Sequence, residues 1–256
     1  MNPIEMMVRL LGTGTSLPDP ERVQSGVLVE ADGTALLLDI GSGVLHRLTQ
    51  TDVDLTSINH VFISHFHIDH CSDFLSFCQT LWLLGYDKTL ELYAPQRLWE
   101  WSRGVYDIAF PYLREKLLVE KRTLNENDVV HLGPVVVSVS PTTHSTLESR
   151  AFRVEHKGKA VVYSSDTAPC PEVLDLATGA DVLIHECNWL DGDHPGGVHT
   201  SPSELAEIVE LAEPRKIVIT HVSPEVVAKE KEVLAKVGRR TNAEVMLARD
   251  LTTIAL

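Results

Sequence analysis

The chain is poor in cysteine, holds no long apolar run, has few basic residues for its size and shows no repeat. Each shortage excludes something. The four cysteines, Cys71, Cys78, Cys170 and Cys187, form no CxxC pair, which fits reduced thiols of a cytoplasmic protein rather than a disulfide framework. No window holds ~18 uninterrupted apolar residues, so no membrane span is expected. The stretch from Met1 to Leu11 lacks the basic segment and apolar core of a secretory signal, and Met6 to Leu11 reads as a first strand. Lys and Arg number 22 against 36 Asp and Glu, for a formal net charge of −14. That balance excludes a broad electropositive surface for long nucleic acids, because such binding rests on cations neutralising phosphates. With no fixed-period repeat, 256 residues that are 44% hydrophobic and 23% charged suit one large α/β domain spanning 1–256.

What the chain does have is a cluster of ligand-type side chains within residues 59–73. Val61, Phe62 and Ile63 read as a short buried strand that stops at Ser64, and His65, His67, Asp69 and His70 follow at once. In an extended turn, alternation points His65 and His67 the same way. A helix starting just beyond swings Asp69 and His70 back toward the same spot. Three imidazoles and a carboxylate converging there attract a divalent cation, with zinc favoured by N/O ligands. The alternative is a His-rich surface turn without a role. Cys71 adjoins His70 but reads as a small, half-buried helix residue.

Around that turn, short apolar strands recur. Ser25–Ala31 and Thr34–Asp39 are split by Asp32-Gly33, a hairpin signal. Gly12-Thr13-Gly14-Thr15-Ser16 lacks the third glycine and the lysine of a phosphate loop and reads as a tight turn. Phe74–Leu84 has helical spacing, Thr89–Tyr93 reads as a strand, and Pro95 opens another helical stretch. Trp82, Tyr86, Tyr93, Trp99, Trp101, Tyr106, Phe110 and Tyr112 crowd this region. They pack helices against a sheet or, in part, wall a cleft. Further strands are expected at 129–131, 135–140, 150–156, 160–164, 181–185, 216–220, 244–247 and 252–256. Several close on a polar side chain: Asp39, His144, Asp166, His221. Taken singly, each is an ordinary cap or loop residue. Ser201, Pro202 and Glu204 spell a capping box for a helix that follows His199, and Ser223 caps a helix over 225–237.

His65-x-His67-x-Asp69-His70 resembles the signature of the metallo-β-lactamase superfamily. Asp39, His144, Asp166 and His221 fall in the expected order behind it, so the resemblance spans nearly the whole chain. It implies a four-layer αββα sandwich. It also implies that His65, His67 and His144 hold one metal, that Asp69, His70 and His221 hold a second, and that Asp166 bridges them. Asp39 would brace the ligand turn without binding metal. His67 stands where the redox-active diiron branch carries Glu, so two Zn2+ are expected, with Mn2+ or Fe as alternatives.

Within the superfamily the chain looks most like ribonuclease Z and related phosphodiesterases. Ile184-His185-Glu186-Cys187 and His199-Thr200-Ser201 resemble their two later loops. The resemblance implies catalytic roles for Asp69, Glu186 and His199, with His199 protonating the leaving oxygen and Glu186 orienting it. The tRNA-processing enzymes carry a long basic arm between the third His and the bridging Asp. Here only the 21 residues 145–165 lie between His144 and Asp166, and they read as a plain strand pair. The expected activity is therefore a phosphodiesterase on small or cyclic nucleotide-type diesters, using a metal-bridging hydroxide. A tRNA 3′ endonuclease and a lactonase or β-lactamase-like hydrolase are the alternatives. RNA is a less favoured partner, and a homodimer through surfaces around 74–116 is expected by analogy.

Overall fold

The computed structural model describes residues 4–256, and among these fourteen strands form two seven-stranded sheets. The first half of the chain supplies β1 (Met7–Gly12), β2 (Gly26–Ala31), β3 (Thr34–Leu38), β4 (Ile58–Phe62), β5 (Leu90–Ala94) and β6 (Val119–Thr123). The second supplies β7 (Val129–Leu132), β8 (Val135–Pro141), β9 (Arg150–His156), β10 (Lys159–Tyr163), β11 (Val182–Glu186), β12 (Lys216–Thr220) and β13 (Glu244–Leu247). The last strand, β14 (Thr252–Ala255), crosses back to pair with β1, so the orders are β14-β1-β2-β3-β4-β5-β6 and β13-β12-β11-β10-β9-β8-β7.

Period-two alternation builds the layers. Leu36 and Leu38 face the space between the sheets while Leu37 faces outward, and Val161 and Tyr163 flank outward-facing Val162 in the same way. The inner layer joins Leu10, Val29, Phe62 and Tyr93 to Val137, Phe152, Ile184 and Val218. Phe62 lies flat on Tyr93 at 4.3 Å and meets Phe152 edge-on at 5.6 Å. Burying one such ring stabilises the fold by ~2–3 kcal/mol. Outside the first sheet sit α1 (Val44–Leu48), α2 (Ile68–Cys71), α3 (Phe74–Leu83) and α4 (Leu98–Ser102). Outside the second sit α5 (Pro171–Ala177), α6 (Pro202–Ala212), α7 (Pro224–Ala228) and α8 (Glu230–Gly238). The result is the expected αββα sandwich.

Local chemistry places the turns. Asp32 and Gly33 both take positive φ, 50° and 78°, and join the paired residues Ala31 and Thr34 in a two-residue hairpin. The turn after β1 is tied across the molecule. Asp250 accepts from Thr13 N at 3.0 Å, Thr13 Oγ1 at 2.8 Å, Val23 N at 2.8 Å and Arg47 Nε at 3.0 Å.

Three expectations need correction. β6 is a seventh strand of the first sheet that the sequence reading did not contain; its Val-Glu-Lys-Arg-Thr alternation belongs to a half-wet edge with only β5 beside it. The helix expected over 225–237 is two helices. Lys229, at φ −109° and ψ 19°, ends the first by donating to Val226 O and opens the second by accepting from Glu232 N and Val233 N. Cys71 is fully buried rather than half-buried, and its thiol donates to His67 O at 3.2 Å.

The eight aromatics of 82–112 mostly pack. Tyr93 is in the inner layer, Trp101 stacks on Phe66 at 5.2 Å, and the Tyr106 hydroxyl meets Cys78 Sγ at 3.0 Å. No ring of this group lines the cleft described below, among the described residues.

Candidate metal centre

The parallel strands β3 and β4, and β10, β11 and β12, end at one edge of the sandwich, where the backbone turns away and leaves side chains free to converge. Asp39 follows β3, His65 follows β4, Asp166 follows β10, Glu186 ends β11 and His221 follows β12. Asp39, Ser165 and His221 take φ of 62°, 53° and 50° there. Such left-handed turns cost non-glycine residues about 1–3 kcal/mol each and persist where packing over-determines them.

All seven expected ligands meet at this edge. Ligand atoms of His65, His67, His144 and Asp166 lie within 4.8 Å of one another, as do those of Asp69, His70 and His221. Asp166 faces both groups. Its Oδ2 is 3.8 Å from His65 Nε2 and 3.7 Å from His144 Nε2, and its Oδ1 is 3.3 Å from His70 Nε2 and 3.4 Å from His221 Nε2. His67, the exposed member, turns Nδ1 inward, 3.0 Å from His65 Nε2 and 3.2 Å from His144 Nε2.

The outer nitrogens are held. His70 Nδ1 donates to Asp39 Oδ2 at 2.7 Å and His144 Nδ1 donates to Val198 O at 2.8 Å. The Ser64 hydroxyl gives its proton to Asp39 at 2.8 Å, so His65 Nδ1, 3.0 Å away, is the donor to Ser64 Oγ. His65 and His144 therefore keep a proton on Nδ1 and aim a lone pair inward from Nε2, and His70 keeps its Nδ1 proton on Asp39. Ser25 Oγ sits 3.0 Å from His221 Nδ1.

These residues suit a cation pair. His70 Nε2, Asp69 Oδ1 and Asp166 Oδ1 are buried and make no hydrogen bond, an expensive state that metal coordination would relieve. Burial opposes ionisation of Asp166, but the His221 and His70 imidazoles outweigh it and hold the carboxyl well below its usual range. Burial and neighbouring imidazoles push His65 well down, and burial takes His221 down to about 4. Neutral imidazoles at His65 and His221 and an ionised Asp166 are the forms that bind metal. At His70 burial is overcome by Asp166 and Asp39, which hold the imidazole well above its ordinary value, so it must give up its Nε2 proton to bind.

Asp39 holds the frame. It accepts from Ser64 N at 2.7 Å, Ser64 Oγ, His70 Nδ1 and Tyr163 OH at 2.9 Å. Asn at this position cannot accept from all of these donors, because its amide nitrogen would face one of them. Asp39→Asn is expected to weaken metal affinity about 10–100-fold, read by chelator competition. Unchanged affinity would mean that the turn keeps its shape without this carboxylate.

Beside the cluster stands the second expected pair. His199 Nδ1 lies 2.7 Å from Glu186 Oε1, and a ligand atom of His199 is within 4.8 Å of those of Asp166 and His221. Burial pushes the Glu186 carboxyl up to about 7. Yet Glu186 is surrounded by donors: Thr167 N at 2.8 Å, Asn188 N and Thr200 N at 3.2 Å, and His199 Nδ1. The three backbone amides can only donate, so they favour the carboxylate and leave the proton of the pair with His199. Burial opposes that charge, but Glu186 overcomes it and raises the imidazole. The capping box ahead of α6 forms, with Ser201 N donating to Glu204 Oε2 at 2.8 Å. His185 points away; it is fully buried, with Nδ1 on Glu186 O at 2.8 Å, and burial lowers it to about 4.

A cleft of about 650 Å3 opens over the cluster. Sequence reasoning missed most of its walls, among them Ser16, Trp189, His194 and Glu225. The tight turn after β1 thus has a second use, since Thr15, Ser16 and Leu17 at its far end form one lip. Trp189 was signalled only by lying three residues past Glu186.

A two-sheet sandwich with a divided His/Asp cluster at its strand ends defines a ribonuclease Z-like, metal-dependent hydrolase of the metallo-β-lactamase superfamily, with a dinuclear-type centre. Residues 6–238 match the family described as Anti-Pycsar protein Apyc1, and the chain belongs to that family. It is 30% identical to a ribonuclease Z of Mycolicibacterium paratuberculosis, over 95% of this chain and 96% of the relative. The fold matches the metallo-β-lactamase fold protein YhfI from Bacillus subtilis with a TM-score of 0.82, at 23% identity over 98% and 99% of the two chains. It matches the short form of human tRNase Z with a TM-score of 0.76, at 24% identity over 97% and 98%. No helix among the described residues is long and apolar enough to cross a membrane.

Proposed function

We propose that this chain, acting as one domain, is a phosphodiesterase for small or cyclic nucleotide-type phosphodiesters. In this reading His65, His67 and His144 hold one cation, Asp69, His70 and His221 the other, and Asp166 both. Zinc suits this donor set best, with manganese or iron as alternatives. When bound, the two cations supply an activated water and neutralise charge at phosphorus. The observation that carries the proposal is the His199–Glu186 pair, 2.7 Å across, beside the Asp166 cluster. An alkoxide leaving phosphorus needs a proton donor, and this pair stands where it can supply one. Glu186 keeps His199 protonated and fixes its tilt, and His199 presents Nε2 to the departing oxygen.

Ribonuclease Z activity is the second reading, favoured by the names of the curated relatives. Two features weigh against it. Residues 145–165 contain β9 and β10 joined at Lys157-Gly158 in place of a basic arm, and among the described residues no Lys or Arg lines the cleft. Exposed Leu83, Leu84, Ile108, Phe110 and Tyr112 support the expected self-association, and four free cysteines support a cytoplasmic location.

Elemental analysis of the native protein, paired with a panel of bis(p-nitrophenyl) phosphate, cyclic nucleotides, pre-tRNA and a lactone, tests this reading. Turnover of small diesters with bound zinc is the expected result. Activity confined to the lactone or to pre-tRNA would reject it.

A further inference from the structure

The reading of His199 as acid fixes which side of the cleft the leaving alcohol occupies, and the side chains on that side are unusual. Nδ1 of His199 is committed to Glu186, so Nε2 is the nitrogen that can reach a departing oxygen. The ring is packed between His144, at 5.0 Å, and Trp189, at 5.1 Å and nearly perpendicular. Trp189 in turn stacks on His194 at 4.7 Å with 21° between the planes. His194 is pinned in that pose by its Nε2, which donates to Leu190 O at 2.7 Å. Trp189, His194 and Asn188 all border the cleft, and among the described residues no Lys or Arg borders it with them. A wall with a half-buried indole and no lysine or arginine offers little to hold a second phosphate, but it suits a flat, uncharged group.

We propose that Trp189, backed by His194, forms the leaving-group subsite and that it takes a flat, uncharged alcohol such as a nucleoside or an aryl alcohol. The indole touches the departing group itself, making Trp189 a specificity-determining residue rather than a support for His199. This rests on the phosphodiesterase reading, so the test is built from esters whose leaving group needs no proton.

Methyl p-nitrophenyl phosphate and thymidine 5′-(p-nitrophenyl) phosphate share the leaving group p-nitrophenolate and differ only in the group that stays on phosphorus. Trp189→Ala should raise KM roughly tenfold on both esters, the scale of losing one aromatic stacking partner. The value of kcat should stay within about twofold, and Trp189→Phe should recover most of the loss. His194→Ala should give a smaller rise on both. Zinc content and circular dichroism of each variant establish that the fold and centre are intact. A KM change confined to the thymidine ester would place the indole against the retained group and overturn the proposal. So would a fall in kcat at unchanged KM, which is the signature of a support for His199. If neither parameter moves on either ester, the subsite lies elsewhere. Failure of the underlying reading shows differently: wild-type protein with bound zinc would turn over neither ester.

Discussion

Replacing His199 by alanine should slow cleavage of diesters with alkoxide leaving groups by about 10²–10⁴-fold while leaving metal content unchanged. The imidazole lies within 4.8 Å of Asp166 and His221 but outside the seven expected ligands, and its Nδ1 is spent on Glu186. Its loss therefore removes a proton donor without dismantling the cage. Cleavage of bis(p-nitrophenyl) phosphate should fall far less, because p-nitrophenolate departs without a proton. The pH profile carries an independent signature. Burial works against the imidazolium, but the Glu186 bond raises the pKa of His199 above the ordinary imidazole value. In the proposed role His199 works as the acid, so activity on alkoxide-leaving diesters should be present below that raised value and lost as pH climbs through it. In His199→Ala this alkaline limb should vanish. Equal slowing of both ester types, or an intact limb, would remove His199 from the role of acid.

Replacing Asp166 by alanine should have the larger consequence for the metals. One carboxylate reaches four imidazole nitrogens, two per oxygen, at 3.3–3.8 Å. Its removal should lower metal affinity by more than the 10–100-fold typical of an outer hydrogen-bond partner. Turnover of every ester, p-nitrophenyl or alkyl, should fall to background. Thermal unfolding gives a second readout: added zinc raises the Tm of wild-type protein by mass action, and the variant should show little of that rise. A variant that retains both ions would show that the two groups hold their cations separately.

The candidate ligands were legible through the His65–His70 motif and the family resemblance it carries, and the others fall at strand ends, which are chemically distinctive. A run such as Val161-Val162-Tyr163 closing on Asp166, or Ile217-Val218-Ile219 closing on His221, exchanges apolar for polar character within a few residues, and the resemblance to the metallo-β-lactamase superfamily implied the αββα arrangement. The cleft walls had no equivalent signal. Trp189 and His194 meet because the loop after β11 folds on itself, and Ser16 and Glu225 arrive from elements more than 200 residues apart. Contacts of that kind are set by tertiary packing, which single-chain periodicity does not report. The crowded rings of 82–112 drew attention as wall candidates by number alone, yet Tyr93 went to the inner layer and Trp101 to Phe66. β6 escaped for a related reason. An edge strand with alternating charge, Glu120, Lys121 and Arg122, looks like solvated loop until a partner strand is known. The break at Lys229 has neither glycine nor proline to announce it.

The grip of Asp250 on Thr13 has a consequence for how the protein comes into being. The two residues are 237 apart in the chain, and the paired residues of β1 and β14, from Leu10 with Thr252 to Met7 with Ala255, are slightly further apart still. At ribosomal speeds of ~5–20 residues per second, roughly 10–50 s pass between synthesis of the first lip of the cleft and arrival of its clasp. Through that interval β1 has a bare flank that invites foreign strands, and the turn carrying Ser16 has nothing to fasten it. Ion capture in the finished geometry is thus a late event of biogenesis, coming after both sheets are made.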